Sequence, residues 1–206
     1  MPRVRRLLDA QPGLQLKLDA TPAWTDALVD ELASTGAVRV VDFKGAYHGT
    51  PVDQAADVAL YRRVLERLPP DVLIEDPHAE PEIDALLEPH RDRVTWDAPI
   101  HSLDNIRALR HRPRVINFKP SRFGTLKCLF DAYDFCRDTG IDIYGGGQFE
   151  LGVGRQQVQY LAALFHPEAP NDVAPAEYNT SDTFDDLPGS PLAVRPAATG
   201  FRLDGT

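Results

Sequence analysis

Short apolar segments and longer amphipathic segments alternate along most of the chain. The apolar segments are rich in β-formers, and in chain order they are LQLKLD, AVRVVDF, DVLIED, RVTWD, RVINFK and IDIYGG, with a last short one near 172–177. An amphipathic segment with helical spacing follows each of the first six, such as WTDALVDELAST, in which Trp24, Leu28 and Leu32 recur one turn apart. Strands that alternate with helices predict βαβ units and a parallel sheet. The predicted fold class is therefore α/β.

The residues at the strand ends distinguish between two α/β architectures. A doubly wound sheet gathers its site from two or three loops, whereas a (β/α)8 barrel brings the carboxyl ends of all its strands to one mouth. Five successive predicted strands end in ionisable residues, which are Lys17, Asp42, Glu75, Asp97 and Lys119. This pattern favours a TIM-like barrel with a polar site at its mouth.

The three carboxylates in this set predict a metal site. Asp42, Glu75 and Asp97 would repel one another in a partly desolvated mouth unless a cation joined them, and oxygen ligands suit Mg²⁺. Lys17 and Lys119 would flank that ion, and a lysine beside a divalent cation has a lowered pKa that lets it act as a base. The alternative is that these charges only solvate the rim of the barrel.

Composition and charge limit the class further. The chain has 206 residues, of which 43% are hydrophobic, which is enough for one substantial core. The net charge of -9 argues against a general nucleic-acid binder and against acidic partners. No apolar run approaches the ~20 residues of a membrane span. The start, MPRVRRLLDAQPG, has no apolar core typical of a signal peptide, so the expected location is cytoplasmic.

The motifs at these strand ends resemble the enolase superfamily, nearest to its muconate lactonizing enzyme, o-succinylbenzoate synthase and mandelate racemase type. The matching segments follow the order of the family and are LKLD, VVDFKG, LIEDP, TWDAPIHS, NFKPSRFG and YGGGQFELGVGR. The similarity covers about residues 1–178, which are predicted to form the barrel domain. Residues 179–206 are predicted to be an irregular C-terminal tail.

The resemblance implies a chemistry for these residues. It implies a Mg²⁺ ion held by Asp42, Glu75 and Asp97 that grips the carboxylate of a small-molecule substrate. It also implies that Lys17 or Lys119 removes the proton on the neighbouring carbon, which leads to dehydration, epimerisation or cycloisomerisation. The motifs do not choose among these three outcomes.

Two further residues are candidates for substrate binding. Glu150 lies in the segment that resembles the one after strand seven of the family, and a salt bridge at the rim is the alternative role for it. Arg122 could pair with a substrate carboxylate through two hydrogen bonds, and a structural ion pair is the alternative.

The sequence also departs from the family pattern at its start. Family members begin with a capping domain and a first barrel strand, whereas residues 1–13 here are predicted to be the first barrel helix. The predicted fold is therefore an incomplete (β/α)-barrel of the (β/α)7β type that lacks strand 1. Its open edges would expose apolar surface near Leu14, Leu16 and Val173, which predicts self-association into homo-oligomers. A catalytically silent barrel remnant, or one part of a two-chain assembly, is the alternative to an enzyme.

Three more ionisable residues, Asp19, Lys44 and Asp76, lie beside the strand ends. Many family members carry asparagine two residues after the aspartate that corresponds to Asp42, and here this position is Lys44. Lys44 would weaken Mg²⁺ binding, contact the substrate carboxylate, or point to solvent. Asp19 and Asp76 are predicted to point away from the site because side chains alternate along a strand.

A second alternative is an aldolase-like barrel without a metal. In it, Lys119 or Lys17 would form a Schiff base with a carbonyl substrate. This interpretation leaves the three carboxylates without a role.

Overall fold

The computed structural model describes residues 1–148 and 150–173, and helices and strands alternate there as predicted. The predicted tail at 179–206 lies outside the described residues. The strands are β1 (Leu16–Asp19), β2 (Val38–Asp42), β3 (Leu73–Glu75), β4 (Val94–Thr95), β5 (Val115–Phe118) and β6 (Asp142–Gly145). The α-helices are α1 (Pro2–Ala10), α2 (Asp26–Ser34), α3 (Val58–Arg67), α4 (Pro81–Leu87), α5 (Leu103–Ala108), α6 (Leu126–Thr139) and α7 (Val153–Phe165). Short 3-10 helices cover Glu88–Arg93 and Pro120–Phe123.

Capping residues fix the helix boundaries. The side chains of four N-cap residues accept a hydrogen bond from the backbone three residues later, and these are Thr25, Asp57, Ser102 and Thr125. Helix α6 ends at Gly140, whose φ of 66° is the left-handed conformation that closes many helices. These local signals are part of why the helices begin and end close to the positions predicted from the sequence.

All strands run parallel and follow one another in chain order. Strands β1 to β4 form one ladder and β5 pairs with β6. The backbone N–H of Asn117 donates to the carbonyl of Trp96 at 3.1 Å, which links the two ladders. Asp172 adds a parallel bridge to Gly146, so the predicted last strand begins here, and residues 174–177 lie outside the described part. The predicted α/β fold, an incomplete TIM-like barrel, is confirmed.

Apolar side chains pack on both faces of this curved sheet. Residues of β2 and β3 such as Val41 and Ile74 pack outward against α2, α3 and α4, and Ile116 and Phe118 of β5 pack against α5 and α6. Inside the barrel, a separate layer forms from Val40, Leu73, Val115 and Tyr144. The polar strand ends therefore lie above an apolar layer.

The open edges differ from the prediction in one respect. Val173 is fully buried against Val158 and Ala162, so the expectation of exposed apolar surface there is wrong. Leu14 and Leu16 are half-buried. Within the described residues, the structure records pairing of β1 with β2 alone. Every helix in this part of the chain is too short or too polar to cross a membrane.

Candidate active site

The strand register brings the predicted site residues to one mouth. Asp42 lies opposite Glu75 in the β2–β3 pair, and Lys17 of β1 lies level with Val40, whose side chain packs in the barrel interior. Asp97 follows β4 by two residues, and Lys119 is the first residue after β5. The side chains of Asp42, Glu75 and Asp97 are fully buried, and those of Lys17 and Lys119 are about one-tenth exposed. The structure therefore places the five strand-end residues in one desolvated cluster.

Lys17 is surrounded by carboxylates. Its Nζ lies 2.5 Å from Glu75 Oε1, 3.4 Å from Asp42 Oδ2 and 3.2 Å from Asp172 Oδ2. Burial alone would lower the pKa of Lys17, but these negative charges outweigh it and hold the pKa well above its ordinary value. The lowered pKa was predicted for a lysine beside a bound cation, and it stays a prediction.

Glu75 is held by neutral donors as well as by Lys17. The hydroxyl of Tyr144 donates to Oε2, and the amide nitrogen of Asn117 lies 3.4 Å from the same oxygen. Burial raises the pKa of Glu75 despite the nearby ammonium. Lys17, Asn117 and Tyr144 thus hold both oxygens of the buried Glu75 carboxylate.

Asp97 has cationic partners. Lys119 Nζ lies 2.7 Å from Oδ2, Arg122 Nη1 lies 2.8 Å from Oδ1, and the Tyr47 hydroxyl donates to Oδ2 at 3.1 Å. Burial acts to raise the pKa of Asp97, but Lys119, Lys17 and Arg122 together lower it. Arg122 thus forms the structural ion pair that was one of its two predicted roles.

Asp76 belongs to the cluster, contrary to the prediction. It is fully buried, and its carboxylate lies in a group with those of Asp42 and Glu75 whose oxygens are within 4.8 Å of one another. Its φ of 46° is left-handed, so the strand alternation that the prediction relied on stops before this residue. Asp76 accepts backbone hydrogen bonds from Asp97 and Ala98, each at 2.8 Å. It therefore fixes the loop that carries Asp97.

The donor set fits a hard divalent cation. Asp42 and Glu75 supply buried carboxylates on adjacent strands, opposite each other in the β2–β3 pair. Asp76 completes the closest oxygen group, but the backbone amides already occupy both of its oxygens. The Asp97 carboxylate is held by the side chains of Lys119, Arg122 and Tyr47, which can rotate away. Asp97 is therefore a better candidate than Asp76 for the third ligand.

The mouth opens into a cavity of about 1080 Å³. Its basic lining residues are Lys17, Lys44, Lys119, Arg122 and Arg155. Gly146 makes room for this arrangement, because a Cβ at this position would lie 2.3 Å from Asn117 Oδ1 and 3.0 Å from side-chain carbons of Lys119. The basic lining residues outnumber the two acidic ones, Asp19 and Asp172, and such a cavity above the buried carboxylates suits an anionic ligand.

Glu150 is not joined to this cluster in the recorded contacts. Its carboxylate accepts hydrogen bonds from the Ser121 hydroxyl at 3.0 Å and the Gln148 backbone at 2.6 Å. It lines a separate groove beside α6 and α7. The structure therefore places Glu150 at the rim, and its contact with substrate stays a prediction.

Sequence reasoning missed several residues of the site, namely Tyr47, Asp76, Asn117, Tyr144 and Asp172. Asn117 carried a usable signal, since it lies two residues before Lys119 and thus faces the same side of β5. Tyr47 lies in the loop after β2 and Asp172 at the start of the last predicted strand, and no apolar periodicity points to either.

Comparison with known proteins supports the class of this barrel. A probable mandelate racemase from Alicyclobacillus acidocaldarius is 23% identical, with a TM-score of 0.66 over 85% of this chain and 45% of that one. An enolase-superfamily member from Listeria innocua is 22% identical, with a TM-score of 0.65 over 83% of this chain and 46% of that one. A dipeptide epimerase from Methylococcus capsulatus, complexed with Mg ion, is 21% identical, with a TM-score of 0.56 over 81% of this chain and 51% of that one. The described part of this chain therefore shares the barrel fold of these structures.

Sequence comparison adds a family. The o-succinylbenzoate synthase of Bacillus subtilis is 34% identical over 61 residues, which are 30% of this chain and 16% of that protein. Residues 1–180 match the family described as "Domain of unknown function (DUF8230) C-terminal domain". The chain belongs to this family. It spans about half the length of the solved structures named above and a smaller part of the curated relative.

Proposed function

We propose that this barrel abstracts the proton α to the carboxylate of a small-molecule substrate with the help of a bound Mg²⁺ ion. The observation that carries the proposal is the juxtaposition of buried Asp42 and Glu75 with Lys17, in the mouth that Lys119 also lines. The magnesium ion in the epimerase of similar fold supports the choice of metal.

Asp42, Glu75 and Asp97 would hold the ion. When bound, Mg²⁺ would supply positive charge next to the substrate carboxylate, where negative charge develops as the α-proton leaves. Tyr144 and Asn117 keep Glu75 in place from inside the barrel, and Asp76 keeps the Asp97 loop in place. These contacts orient the carboxylates before any substrate arrives.

The two lysines take different roles in the proposal. Lys17 has a raised pKa and is therefore charged, so it suits stabilisation of the negative charge that develops on the substrate. Lys119 contacts one carboxylate, Asp97, and would lose that partner when Asp97 binds the cation. We assign Lys119 as the base and Lys17 as the electrostatic partner that stabilises the developing negative charge. The raised pKa of Lys17 also argues against the aldolase-like alternative for this residue, because a Schiff-base nucleophile must be a neutral amine.

Hydrogen exchange in D₂O tests this proposal. A panel of chiral 2-hydroxy acids, N-acyl amino acids and dipeptides is incubated with the protein and Mg²⁺, and ¹H NMR follows loss of the α-proton signal. Wild type should exchange at least one class. Lys119→Met should abolish exchange of the α-proton. Lys17→Met should still exchange it, at a rate about 10²-fold below that of wild type.

Lys127→Met is the matched control, because Lys127 is an exposed lysine paired with Asp131 on α6. It should behave as wild type. Exchange that survives unchanged in Lys119→Met would contradict the assignment of the base. No exchange of any compound by wild type would favour the catalytically silent barrel.

A further inference from the structure

Lys44 contacts the carboxylate of Asp42, one of the proposed metal ligands. It follows β2 by two residues, and its backbone N–H donates to Asp42 Oδ1 at 2.9 Å. Its Nζ lies 2.5 Å from Asp42 Oδ2. One residue thus engages both oxygens of Asp42, so the prediction that it might point to solvent is not met.

The backbone at Lys44 is held in an unfavourable conformation to make these contacts. Its φ is 57°, and Asp76 is the other non-glycine residue with positive φ in the part of the chain that the structure describes. Residues with a Cβ seldom adopt this region, and those that do cluster at functional sites. The conformation turns the Lys44 side chain back over the mouth, where it lines the cavity.

The buried charge of Asp42 would have a cationic partner even without Lys44. Lys17 Nζ already lies 3.4 Å from Asp42 Oδ2. Lys44 Nζ lies closer still, 2.5 Å from the same oxygen. Two cations therefore converge on the oxygen that a divalent ion would use.

Lys44 also has a second partner within reach. Its Nζ lies 3.1 Å from Asp19 Oδ1, and the side chain of Asp19 is 57% exposed at the rim. The ring of Tyr47 lies below the ammonium, with its centroid 5.1 Å from Nζ. Lys44 can leave Asp42 and keep a counter-ion, because Asp19 is already in contact.

We propose that Lys44 is a tethered competitor of the divalent cation, which exchanges from Asp42 to Asp19 when the ion binds and so sets the cation affinity of the site. This inference rests on the proposed Mg²⁺ site. A tethered ammonium competes at a fixed effective concentration, so it weakens metal binding without a dissociable inhibitor. By linkage, the metal in turn releases Lys44 from Asp42.

Isothermal titration of the metal-free protein with MgCl₂ tests the exchange. Lys44→Met keeps a side chain of similar length and removes its charge, and we expect it to bind Mg²⁺ at least tenfold more tightly than wild type. Lys44→Gly also removes the left-handed strain and should show the same gain, which guards against misfolding of the first variant. Lys44→Arg keeps the cation and should remain close to wild type. Asp19→Asn removes the second partner and should weaken binding.

Thermal melting gives a second readout that needs no turnover. Saturating Mg²⁺ should raise the Tm of Lys44→Met by more than that of wild type, because tighter binding to the folded state stabilises it more. Lys127→Met, which removes an exposed lysine, should match wild type in both measurements.

The outcomes separate this inference from the function on which it rests. Equal Mg²⁺ affinities for wild type, Lys44→Met and Lys44→Gly, with binding abolished in Asp42→Asn, would overturn the competition and leave the metal site intact. Binding that is unchanged in Asp42→Asn, or absent even in Lys44→Met and Lys44→Gly, would overturn both. A tenfold gain confined to the uncharged variants would support the exchange.

Discussion

Replacement of His166 tests how the last part of the barrel is closed. His166 is 7% exposed and lies between the hydroxyl of Tyr133, 3.0 Å from Nε2, and Asn171 Oδ1, 2.7 Å from Nδ1. Asn171 Oδ1 also accepts the backbone N–H of Gly145 at 2.6 Å, so it is an acceptor and His166 Nδ1 must donate to it. Burial lowers the pKa of His166, so the imidazole is neutral at pH 8 and its Nε2 accepts from the Tyr133 hydroxyl. This network anchors the segment that ends in Asp172, whose carboxylate contacts Lys17.

These contacts determine how much the free energy of unfolding should fall when His166 is replaced. His166→Phe keeps a ring but loses two hydrogen bonds, each contributing about 0.5–1.5 kcal/mol, and leaves the buried Tyr133 hydroxyl without this partner at a cost of about 1–3 kcal/mol. Partial relaxation reduces the sum, so we expect the free energy of unfolding to fall by about 2–4 kcal/mol at pH 8. Urea denaturation followed by circular dichroism measures it.

The pH dependence gives a second, more specific test. Burial lowers the pKa of His166 below its ordinary 6.5, so the unfolded chain takes up the proton first. The stability contributed by neutral His166 is therefore present above pH 6.5 and is lost as the pH falls, by at most about 1.4 kcal/mol per pH unit. In His166→Phe this part of the decline between pH 6.5 and 5 should disappear. An identical decline in wild type and variant would refute the neutral, buried imidazole.

The remaining predictions concern the site and its supports. Asp76→Ala leaves the backbone N–H groups of Asp97 and Ala98 without their acceptor, and urea denaturation should show a loss of about 2–5 kcal/mol, whereas no loss would contradict its anchoring role. Gly146→Ala places a methyl group 2.3 Å from Asn117 Oδ1, so a lower Tm and weaker Mg²⁺ binding by calorimetry are expected. Wild-type values for both quantities in that variant would show that the mouth is loosely packed.

Much of the fold was predictable because the strands obey simple patterns. β2, β3 and β5 are short apolar runs that each lead into an ionisable residue, and periodicity detects such runs. Parallel strands then bring those residues to the same edge, which is why Asp42 and Glu75 were placed together correctly. The predicted boundary of the barrel domain at residue 178 stays a prediction, as do the assigned roles of the site residues.

The failures occur where the backbone leaves the strand pattern. Asp76 and Lys44 have positive φ, so their side chains turn towards the mouth, although alternation along a strand would direct Asp76 away. Neither is a glycine, and the sequence gives no sign of a left-handed conformation there. The contact of Lys17 with Asp172 joins residues far apart in the chain, and no local pattern indicates it.

The central claim is that the carboxylates at the barrel mouth hold a divalent cation. The most direct measurement is an anomalous difference map from crystals of the protein grown with Mn²⁺, which takes the same oxygen ligands as Mg²⁺ and scatters anomalously. We predict one strong peak bound by Asp42, Glu75 and Asp97, with Asp76 still accepting the backbone hydrogen bonds of the Asp97 loop. A mouth without a peak at saturating Mn²⁺, with Lys44 still on Asp42 and Lys119 still on Asp97, would contradict the account.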